Sequence, residues 1–185
     1  MILTGRRVVL RPGTPDDLAR LIAIREEPEV LRRWGHVDEP EVRETFIETE
    51  TGFVVEVDGE VIGAIEFSEE DDPMYRHAGI DLFLTTTRHG QGLGTDTVRT
   101  LARHLIDERG HHRLTIDPAA DNEAAIRAYE HVGFRRVGVM RDYERGPDGT
   151  WHDGMLMEML AEELTDPAQD PSGNLGAPDD DLDRA

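Results

Sequence analysis

Apolar and polar residues follow one another in short blocks along this chain, and the period of each block predicts a strand or a helix. Within residues 76–84 the alternation places Asp81 on the face opposite Ile80 and Leu82. Residues 52–57 and 60–67 flank Asp58-Gly59, a dipeptide typical of tight hairpins, so these two blocks should pair antiparallel. In all, seven blocks predict strands, over residues 6–11, 52–57, 60–67, 76–84, 114–117, 134–143 and 151–160.

Between these strands, apolar residues recur at helical spacing. Thr14-Pro15 supplies an N-cap and a first-turn proline to one helix, and Pro28 and Gly35 break the chain after it into short pieces. A fourth helix, over residues 122–131, has Asp121 as its predicted N-cap. The remaining helical blocks cover about residues 40–48 and 93–109.

Length, charge and composition limit the class of protein. The chain has 185 residues, of which 1–164 are predicted to form one α/β domain, whereas 165–185 are acidic, rich in proline and predicted to be a disordered tail. A formal net charge of −20 argues against nucleic acid and anionic membranes as partners and favours a cationic ligand. Cysteine is absent, which excludes disulfides and a cysteine nucleophile. No signal peptide or membrane span is recognisable, so a cytoplasmic protein is expected.

The most informative motif runs from His89 to Thr95, where three glycines occupy alternate positions between a predicted strand and a predicted helix. Glycines leave no side chain between backbone and ligand, so the N–H groups of residues 91–95 can point at an anion, and the helix N-terminus adds attraction. Position 97 is Thr97, so the dinucleotide fingerprint G-x-G-x-x-G is not formed, and no lysine follows for a P-loop. The motif therefore predicts a cradle for the pyrophosphate of another nucleotide-bearing cofactor.

A second motif sharpens this prediction. Asn122, Ala125, Tyr129, Gly133 and Phe134 follow the glycine loop at the spacing Asn-x-x-Ala-x-x-x-Tyr-x-x-x-Gly-Phe. Together the two motifs, and the order of strands and helices over roughly residues 4–160, resemble the GCN5-related N-acetyltransferase (GNAT) family. The resemblance implies an α/β (α+β) fold with a mixed, mostly antiparallel sheet of six to seven strands, helices on both faces and a splayed cofactor cleft.

The resemblance also implies acetyl-coenzyme A as the acetyl donor. His89 is the one departure from the glycine motif, since Arg or Gln is usual at that position, and the backbone cradle is unaffected by it. Asn122 resembles the asparagine that braces the cofactor arm, although its place in the first turn of a helix also permits simple capping. The residues implied to bind the cofactor are Leu84, Thr86, His89, Gly90, Gln91, Gly92, Leu93, Gly94, Thr95 and Asn122.

Acetyl transfer to an amine needs a group that accepts the amine proton and a group that protonates the departing thiolate. The resemblance assigns the second role to Tyr129, which a helical apolar stripe would also want as a packing residue. Asp81 and Asp117 are the candidates for the base. Alternatively, Asp81 is a solvated or ion-paired strand residue and Asp117 forms an Asx turn before Pro118.

Within the family, the chain is similar to the aminoglycoside 6′-N-acetyltransferases, which implies a small polycationic acceptor. On that resemblance Trp34 walls the acceptor site, although a lone tryptophan after a helix is often a core residue. The acids of residues 69–72 form a predicted loop that holds the acceptor or is simply solvated. The residues implied to bind the acceptor are Trp34, Glu70, Asp72, Asp81 and Asp117.

One segment favours another acceptor. Arg141-Asp142-Tyr143, followed by Trp151 and Met155, looks like the C-terminal arm of ribosomal-protein N-terminal acetyltransferases, although Met155, Met157 and Met159 also alternate as a core face would. A peptide N-terminus or a polyamine is thus the alternative acceptor, and a non-catalytic acetyl-coenzyme A sensor or interaction module is the alternative of another class. No histidine and carboxylate stand at metal-ligand spacing, so no metal is expected. A monomer and a homodimer both remain open.

Overall fold

The computed structural model describes residues 1–165, so the predicted tail lies, apart from Thr165, outside the described residues. The helices are α1 to α5, and the strands, β1 to β8, form one sheet within this range. None of the helices over residues 1–165 is both long enough and apolar enough to cross a membrane. In chain order the elements are β1 (Leu3–Thr4), β2 (Val9–Arg11), α1 (Leu18–Arg25), α2 (Pro28–Trp34), α3 (Glu39–Phe46), β3 (Gly52–Val57), β4 (Glu60–Glu70), β5 (His77–Leu84), α4 (Leu93–Asp107), β6 (Arg113–Ile116), α5 (Glu123–Glu130), β7 (Arg135–Arg145) and β8 (Trp151–Leu160).

The sheet has the strand order β1-β2-β3-β4-β5-β6-β8-β7, and its described strands are antiparallel neighbours except for β5 and β6. This confirms the mixed, mostly antiparallel sheet, but eight strands replace the six to seven that were expected. The predicted first strand, residues 6–11, is in fact β2 alone, preceded by a turn and by β1. Two residues are too few to show a period, which is why β1 was not predicted.

The hairpin of β3 and β4 is confirmed, with Asp58 and Gly59 both at positive φ between the paired residues Val57 and Glu60. Strand β4 extends three residues beyond its predicted end at Phe67, so two residues of the predicted acidic loop belong to a strand.

Strand β4 is longer because Glu69 and Glu70 pair with Ala78 and His77 of β5, and side-chain contacts support this end of the strand. The Glu69 carboxylate pairs with Arg109 and, at 2.6 Å, with Nε2 of the buried His111. Both partners come from the turn after α4, and this contact between distant parts of the chain stabilises the end of β4.

Each face of the sheet carries its own apolar core, which confirms the helices on both faces. One core packs α4 and α5 against the sheet and includes Met155, Met157 and Met159, so the alternation in β8 is that of a core face. The other packs α1, α2 and α3 against the opposite face, where Phe83 and Phe46 meet edge to face.

The strands β5 and β6 diverge soon after they meet. Their described pairs are Ala78 with Leu114 and Gly79 with Thr115, whereas β5 continues for five more residues to Leu84. The result is a wedge in the middle of the sheet, as the resemblance implied. The glycine loop and α4 follow the open end of β5, so the fold brings the candidate cofactor loop to the mouth of the wedge.

Candidate active site

The glycine loop connects a short 3-10 turn, Thr86–Arg88, to α4. Gly90 and Gly92 have φ values of 72° and 74°, a conformation that other residues adopt only at a cost. A Cβ built at either glycine would meet no described atom within 4 Å, so the space beside this backbone is free for a ligand.

Contacts from outside the loop hold it open at the N-terminus of α4. The His89 ring lies with Nε2 3.0 Å from the Leu84 carbonyl oxygen, and Arg7 donates to the Gln91 carbonyl oxygen at 2.7 Å. Gly92 is the N-cap residue, and within residues 1–165 no side chain caps the first turn of α4. Uncapped amides at the positive end of a 15-residue helix fit a pyrophosphate.

Replacing Gly92 by Ala is expected to weaken coenzyme A binding by about tenfold, equivalent to roughly 1.4 kcal/mol. A Cβ would enter the free space beside the backbone, and the αL conformation would cost a further ~1 kcal/mol of folding stability. Calorimetric titration with coenzyme A and thermal denaturation measure the two effects separately.

Gly59→Ala is the matched control for this experiment. Gly59 has φ 80°, it has no described atom within 4 Å of a built Cβ, and it lies in the β3–β4 hairpin. It should lower Tm as much as Gly92→Ala while coenzyme A affinity stays unchanged. Equal affinities of the two variants for coenzyme A would mean that the glycine loop does not bind the cofactor.

Glu27 occupies the donors of the segment that follows β5. Its carboxylate accepts from the Thr86 N–H and the Thr86 hydroxyl, both at 2.7 Å, and from the Thr85 hydroxyl at 2.6 Å. The backbone donor of Thr86, a residue implied to bind the cofactor, is therefore already used within the protein. Nothing in the local sequence around Glu27 indicates this contact, because 59 positions separate the partners.

A row of carboxylates crosses the face of the sheet that carries α1 to α3. Asp81 of β5 lies directly opposite Glu66 of β4, and Asp117 follows the next strand, β6. Glu144 of β7 lies near enough to Asp117 and Asp81 for their charges to interact. The structure thus brings together the two predicted candidates for the base and adds Glu66 and Glu144, which the sequence reading missed.

Asp81 has an unusual ionisation equilibrium. Loss of hydration in the cleft, followed by the negative charges of Asp117 and Glu66, raises its pKa from an ordinary value of 3.8 to about 8. The side chain nevertheless keeps contact with solvent, and one of its oxygens accepts the Leu82 N–H at 2.9 Å. A carboxylate with this pKa can take up a proton near neutral pH.

The raised pKa predicts that Asp81→Asn stabilises the protein, and more so at pH 8 than at pH 5. Between the ordinary value and about pH 8 the folded state holds a proton that the unfolded state has released, so wild-type stability falls as pH rises through this window. The Asn side chain of the variant does not ionise, so it makes no such contribution to the pH dependence of stability. Because Asp81 contacts solvent, which weakens its interactions with the neighbouring charges, we expect the Tm of Asp81→Asn to exceed that of the wild type by only roughly 2–4 °C at pH 8.

Asp71→Asn, at an exposed loop residue, is the control for this measurement. Thermal denaturation of it should show no such difference between the two pH values. A lower Tm for Asp81→Asn at pH 8 would mean that Asp81 is a stabilising residue rather than a strained one.

Tyr129 of α5 lies in the core on the opposite face of the sheet from the row of carboxylates. Its ring packs edge to face against Phe134, with centroids 6.4 Å apart, and its side chain is buried. Burial, followed by the charges of Asp81 and Asp117, raises the pKa of the Tyr129 hydroxyl. The hydroxyl is therefore protonated at neutral pH and close enough to both carboxylates to be affected by them.

A second tyrosine approaches the carboxylates from β7. Asp142 has φ 48° in an irregular stretch of that strand, and the adjacent Tyr143 ring lies over Gly154, where a built Cβ would come within 2.7 Å of it. The nearby Asp117 carboxylate is the largest cause that raises the pKa of Tyr143 to about 12.

A cleft of about 880 Å³ opens beside this row of carboxylates. It lies between α2, the loop after β6 and the β7–β8 hairpin, which means that it is on the face where the acids are. Within residues 1–165 no three His, Asp or Glu side chains are arranged to hold a metal ion. The residues that line the cleft are Arg32, Arg33, Ala119, Ala120, Asp121, Glu144, Gly146, Pro147, Asp148, Trp151, His152 and Asp153.

A glycine loop at a helix N-terminus, a splayed sheet and a buried tyrosine facing carboxylates form one arrangement. Residues 7–135 match the family model described as an acetyltransferase (GNAT) domain, which covers more than half of the chain. The chain belongs to the GNAT acetyltransferase family. This GNAT acetyltransferase is therefore an enzyme that transfers an acetyl group, and the fold that the sequence implied is confirmed.

Named relatives of this GNAT acetyltransferase act on different amines. It is 31% identical over 164 residues to aminoglycoside N(6′)-acetyltransferase type 1 of Klebsiella pneumoniae, covering 77% of this chain and 79% of that protein. It is 28% identical over 149 residues to spermidine N(1)-acetyltransferase of Escherichia coli K12, covering 74% and 77%. The similarity to aminoglycoside 6′-N-acetyltransferases is confirmed, and the acceptor is not fixed by these relatives.

A solved structure with bound ligands is similar to this GNAT acetyltransferase. Aminoglycoside acetyltransferase AAC(6′)-Ib in complex with parmomycin and acetyl-coenzyme A superposes with a TM-score of 0.68 at 28% identity. The match covers 85% of this chain and 95% of the other. The predicted use of acetyl-coenzyme A gains support from this complex.

The remaining predicted site residues of this GNAT acetyltransferase lie in different places. The half-buried Trp34 packs edge-on to Phe83 at 5.2 Å beside the row of carboxylates, so it is both a core residue and a candidate wall. Glu70 pairs with His77, at the opposite end of β5 from Leu84, and Asp72 lies in the loop beyond it. Their carboxylates accept amides of their own loop, so the structure does not bring these two to the other acids.

The predicted N-cap of α5 in this GNAT acetyltransferase, Asp121, is wrong. The N-cap of α5 is Asn122, whose side-chain oxygen accepts the Ala125 N–H at 3.3 Å. Asp121, the predicted cap, pairs instead with Arg33 at 2.6 Å and Arg32 at 3.4 Å across the cleft. Two basic residues from a distant helix offer this carboxylate a stronger interaction than the helix amides do. The cofactor role of Asn122 stays a prediction.

Proposed function

We propose that this enzyme transfers the acetyl group of acetyl-coenzyme A to the 6′-amine of an aminoglycoside. The observation that carries the proposal is the juxtaposition of Asp81, Asp117 and Tyr129 at the wedge between β5 and β6. Positive groups of a polycationic sugar would meet the row of carboxylates, and the net charge of −20 would attract such a molecule. The 31% identical aminoglycoside acetyltransferase supports this choice of acceptor.

The residues of the glycine loop and the first turn of α4 would hold the pyrophosphate of the cofactor. When bound, acetyl-coenzyme A supplies an acetyl group activated as a thioester. His89 would keep the loop in place through the Leu84 carbonyl rather than contact phosphate itself. One edge of β5 pairs with β4, but beyond Gly79 the edge that faces the wedge pairs with no strand among the described residues. This edge is therefore free to receive the cofactor arm.

On the acceptor side, the amine must lose a proton before it attacks. With a pKa near 10.4, as for lysine, about one amine in 2,500 is neutral at pH 7, a deficit worth roughly 4.6 kcal/mol of barrier. Asp81 would receive this proton because its raised pKa lets it accept one near neutral pH. Asp117, which lies near Tyr143, would bind an ammonium group, and Tyr129 would protonate the departing thiolate.

A linear polyamine is the second candidate acceptor. The carboxylates of Glu66 and Asp81 face each other on β4 and β5, and Asp117 follows β6 across the wedge. Separate ammonium groups of spermidine would meet these acids as those of a sugar would. The 28% identical spermidine acetyltransferase supports this alternative.

A matched pair of acceptors tests the proposal. Neamine and paromamine differ in carrying an amine or a hydroxyl at the 6′ position, so release of coenzyme A thiol from acetyl-coenzyme A should occur with neamine and be lost with paromamine. Spermidine and an N-terminal peptide complete the panel. Equal turnover of neamine and paromamine would place the reaction on another amine, and turnover of spermidine or the peptide alone would reject the aminoglycoside. No release with any amine would favour a non-catalytic acetyl-coenzyme A-binding module.

A further inference from the structure

Arg25 is the largest fully buried side chain of the described residues, and it lies at the acceptor side of the sheet. It comes from the last turn of α1, and its guanidinium lies against two aromatic rings that also contact each other. The central carbon is 4.8 Å from the Trp34 ring centroid and 5.6 Å from that of Phe83. These are cation–π distances, so both rings help to stabilise the buried charge.

The hydrogen bonds of this guanidinium are incomplete. Nη2 donates to the Trp34 carbonyl oxygen at 3.0 Å, whereas Nε and Nη1 are buried and have no hydrogen-bond partner among residues 1–165. The closest acid is the half-exposed Glu41 of α3, 3.8 Å from Nη1. A buried cation with unsatisfied donors is costly for folding, and an apolar side chain of similar volume would be the more stable choice.

The position of Arg25 suggests what offsets this cost. Its charge interacts with Asp81 and Glu66, the facing pair on β5 and β4, in addition to Glu41. Its hydrogen bond and its stacking also fix Trp34, the last residue of α2, against Phe83. The same guanidinium therefore contacts a candidate wall of the acceptor site, and its charge acts on the facing pair that includes the candidate base.

We propose that Arg25 is a positioning residue of the acceptor site, which holds Trp34 in place and supplies positive charge beside Glu66 and Asp81. The proposal rests on the proposed function, in which Asp81 accepts the amine proton. In this role the buried charge favours the ionised form of the carboxylates, so that one of them is free to receive a proton. Arg25 would act through these residues without contacting either substrate.

Several groups face Asp81, and the test has to separate Arg25 from them. Glu66 on β4, Asp117 after β6 and Glu144 on β7 all favour the protonated form of Asp81. Tyr129 of α5 and Tyr143 of β7 are neutral near pH 7 because their pKa values are raised. Glu41 of α3 adds negative charge next to Glu66. Removal of Arg25 should therefore shift the ionisation of the carboxylates in one direction, towards the protonated form.

Arg25→Met and Arg25→Lys make a matched pair, because the first removes the charge at similar volume and the second keeps it without the planar fork. Activity is measured with whichever acceptor the panel of amines identifies. For Arg25→Met, we expect the acid limb of the kcat/KM profile to move to higher pH by about 0.5–1 unit. The KM for the acceptor should rise by about tenfold, whereas affinity for acetyl-coenzyme A stays the same. Arg25→Lys should return the acid limb to its wild-type position while KM stays raised.

A second measurement does not depend on turnover. The chain has two tryptophans, so Trp151→Phe isolates the emission of Trp34. In that background Arg25→Met should make Trp34 more accessible to acrylamide at temperatures well below its Tm. If Arg25→Met does not fold, Arg25→Lys should still show the greater quenching, with the acid limb in place.

The outcomes distinguish the two proposals. A wild-type enzyme that acetylates no amine contradicts the proposed function, and the quenching experiment then still decides whether Arg25 holds Trp34. An active wild type with an unshifted acid limb in Arg25→Met, or unchanged quenching of Trp34, would overturn the positioning role.

Discussion

Replacing Tyr129 by Phe is expected to slow acetyl transfer by ~10²-fold or more while affinity for acetyl-coenzyme A is unchanged. The substitution removes the hydroxyl alone. The ring would keep its edge-to-face contact with Phe134 and its place in the core, so the fold should not change. Without a proton donor, the thiolate must leave with its full negative charge. The effect should appear in kcat and in kcat/KM equally, since the interaction is made in the transition state.

Two measurements make this prediction specific. Release of coenzyme A thiol gives the rate, and calorimetric titration with acetyl-coenzyme A gives the affinity. Tyr75→Phe is the control, because Tyr75 is exposed in the loop before β5, and it should retain wild-type activity. If Tyr129→Phe keeps a rate within about twofold of wild type, Tyr129 is a packing residue, as its helical stripe also allows.

The second large effect is expected for Asp81→Asn, which should lower kcat/KM by ~10²- to 10⁴-fold. Wild-type kcat/KM should rise with pH up to about 8, because the proposed base has to be ionised before it can accept a proton. Loss of hydration in the cleft and the charges of Asp117 and Glu66 raise its pKa to about 8. The amide cannot ionise, so this acid limb should disappear in the variant. A pH profile measured at subsaturating acceptor records both effects.

Asp117→Asn separates the two candidates for the base. Removal of a neighbouring negative charge should lower the pKa of Asp81, so the acid limb would move to lower pH while KM for the acceptor rises. Retention of the acid limb in Asp81→Asn, together with its loss in Asp117→Asn, would exchange the roles of the two carboxylates.

Local chemistry made much of the fold predictable from the sequence. The β3–β4 hairpin follows from Asp58-Gly59, and the core face of β8 follows from the alternation of its methionines. The errors fall where distant residues decide the outcome. Glu69 is in a strand because it pairs with Ala78 of β5, and its carboxylate contacts Arg109, 40 positions later. Asp121 is not a cap because it pairs with Arg33.

The residues of the candidate site that belong to motifs were predictable from the sequence, whereas the charged residues packed around them were not. The glycine motif and the position of Tyr129 identified the two sides of the wedge, and Asp81 was recognisable as a polar residue in an apolar strand. Glu66 alternates with apolar residues as any solvated strand residue would, so nothing local distinguishes it. The burial of Arg25 is likewise not recognisable from the local sequence, since a basic residue in the last turn of a helix normally faces solvent. Only the packing of three helices over the sheet buries it.

The wedge between β5 and β6 also divides the chain almost in half. Every strand on one side of it comes from residues 3–84, and every described strand on the other side comes from residues 113–160. The first half supplies Glu66 and Asp81, whereas the second supplies Asp117 and Tyr129. Recombining halves from two related enzymes at the glycine loop would therefore join the proposed proton acceptor of one parent to the proposed proton donor of the other.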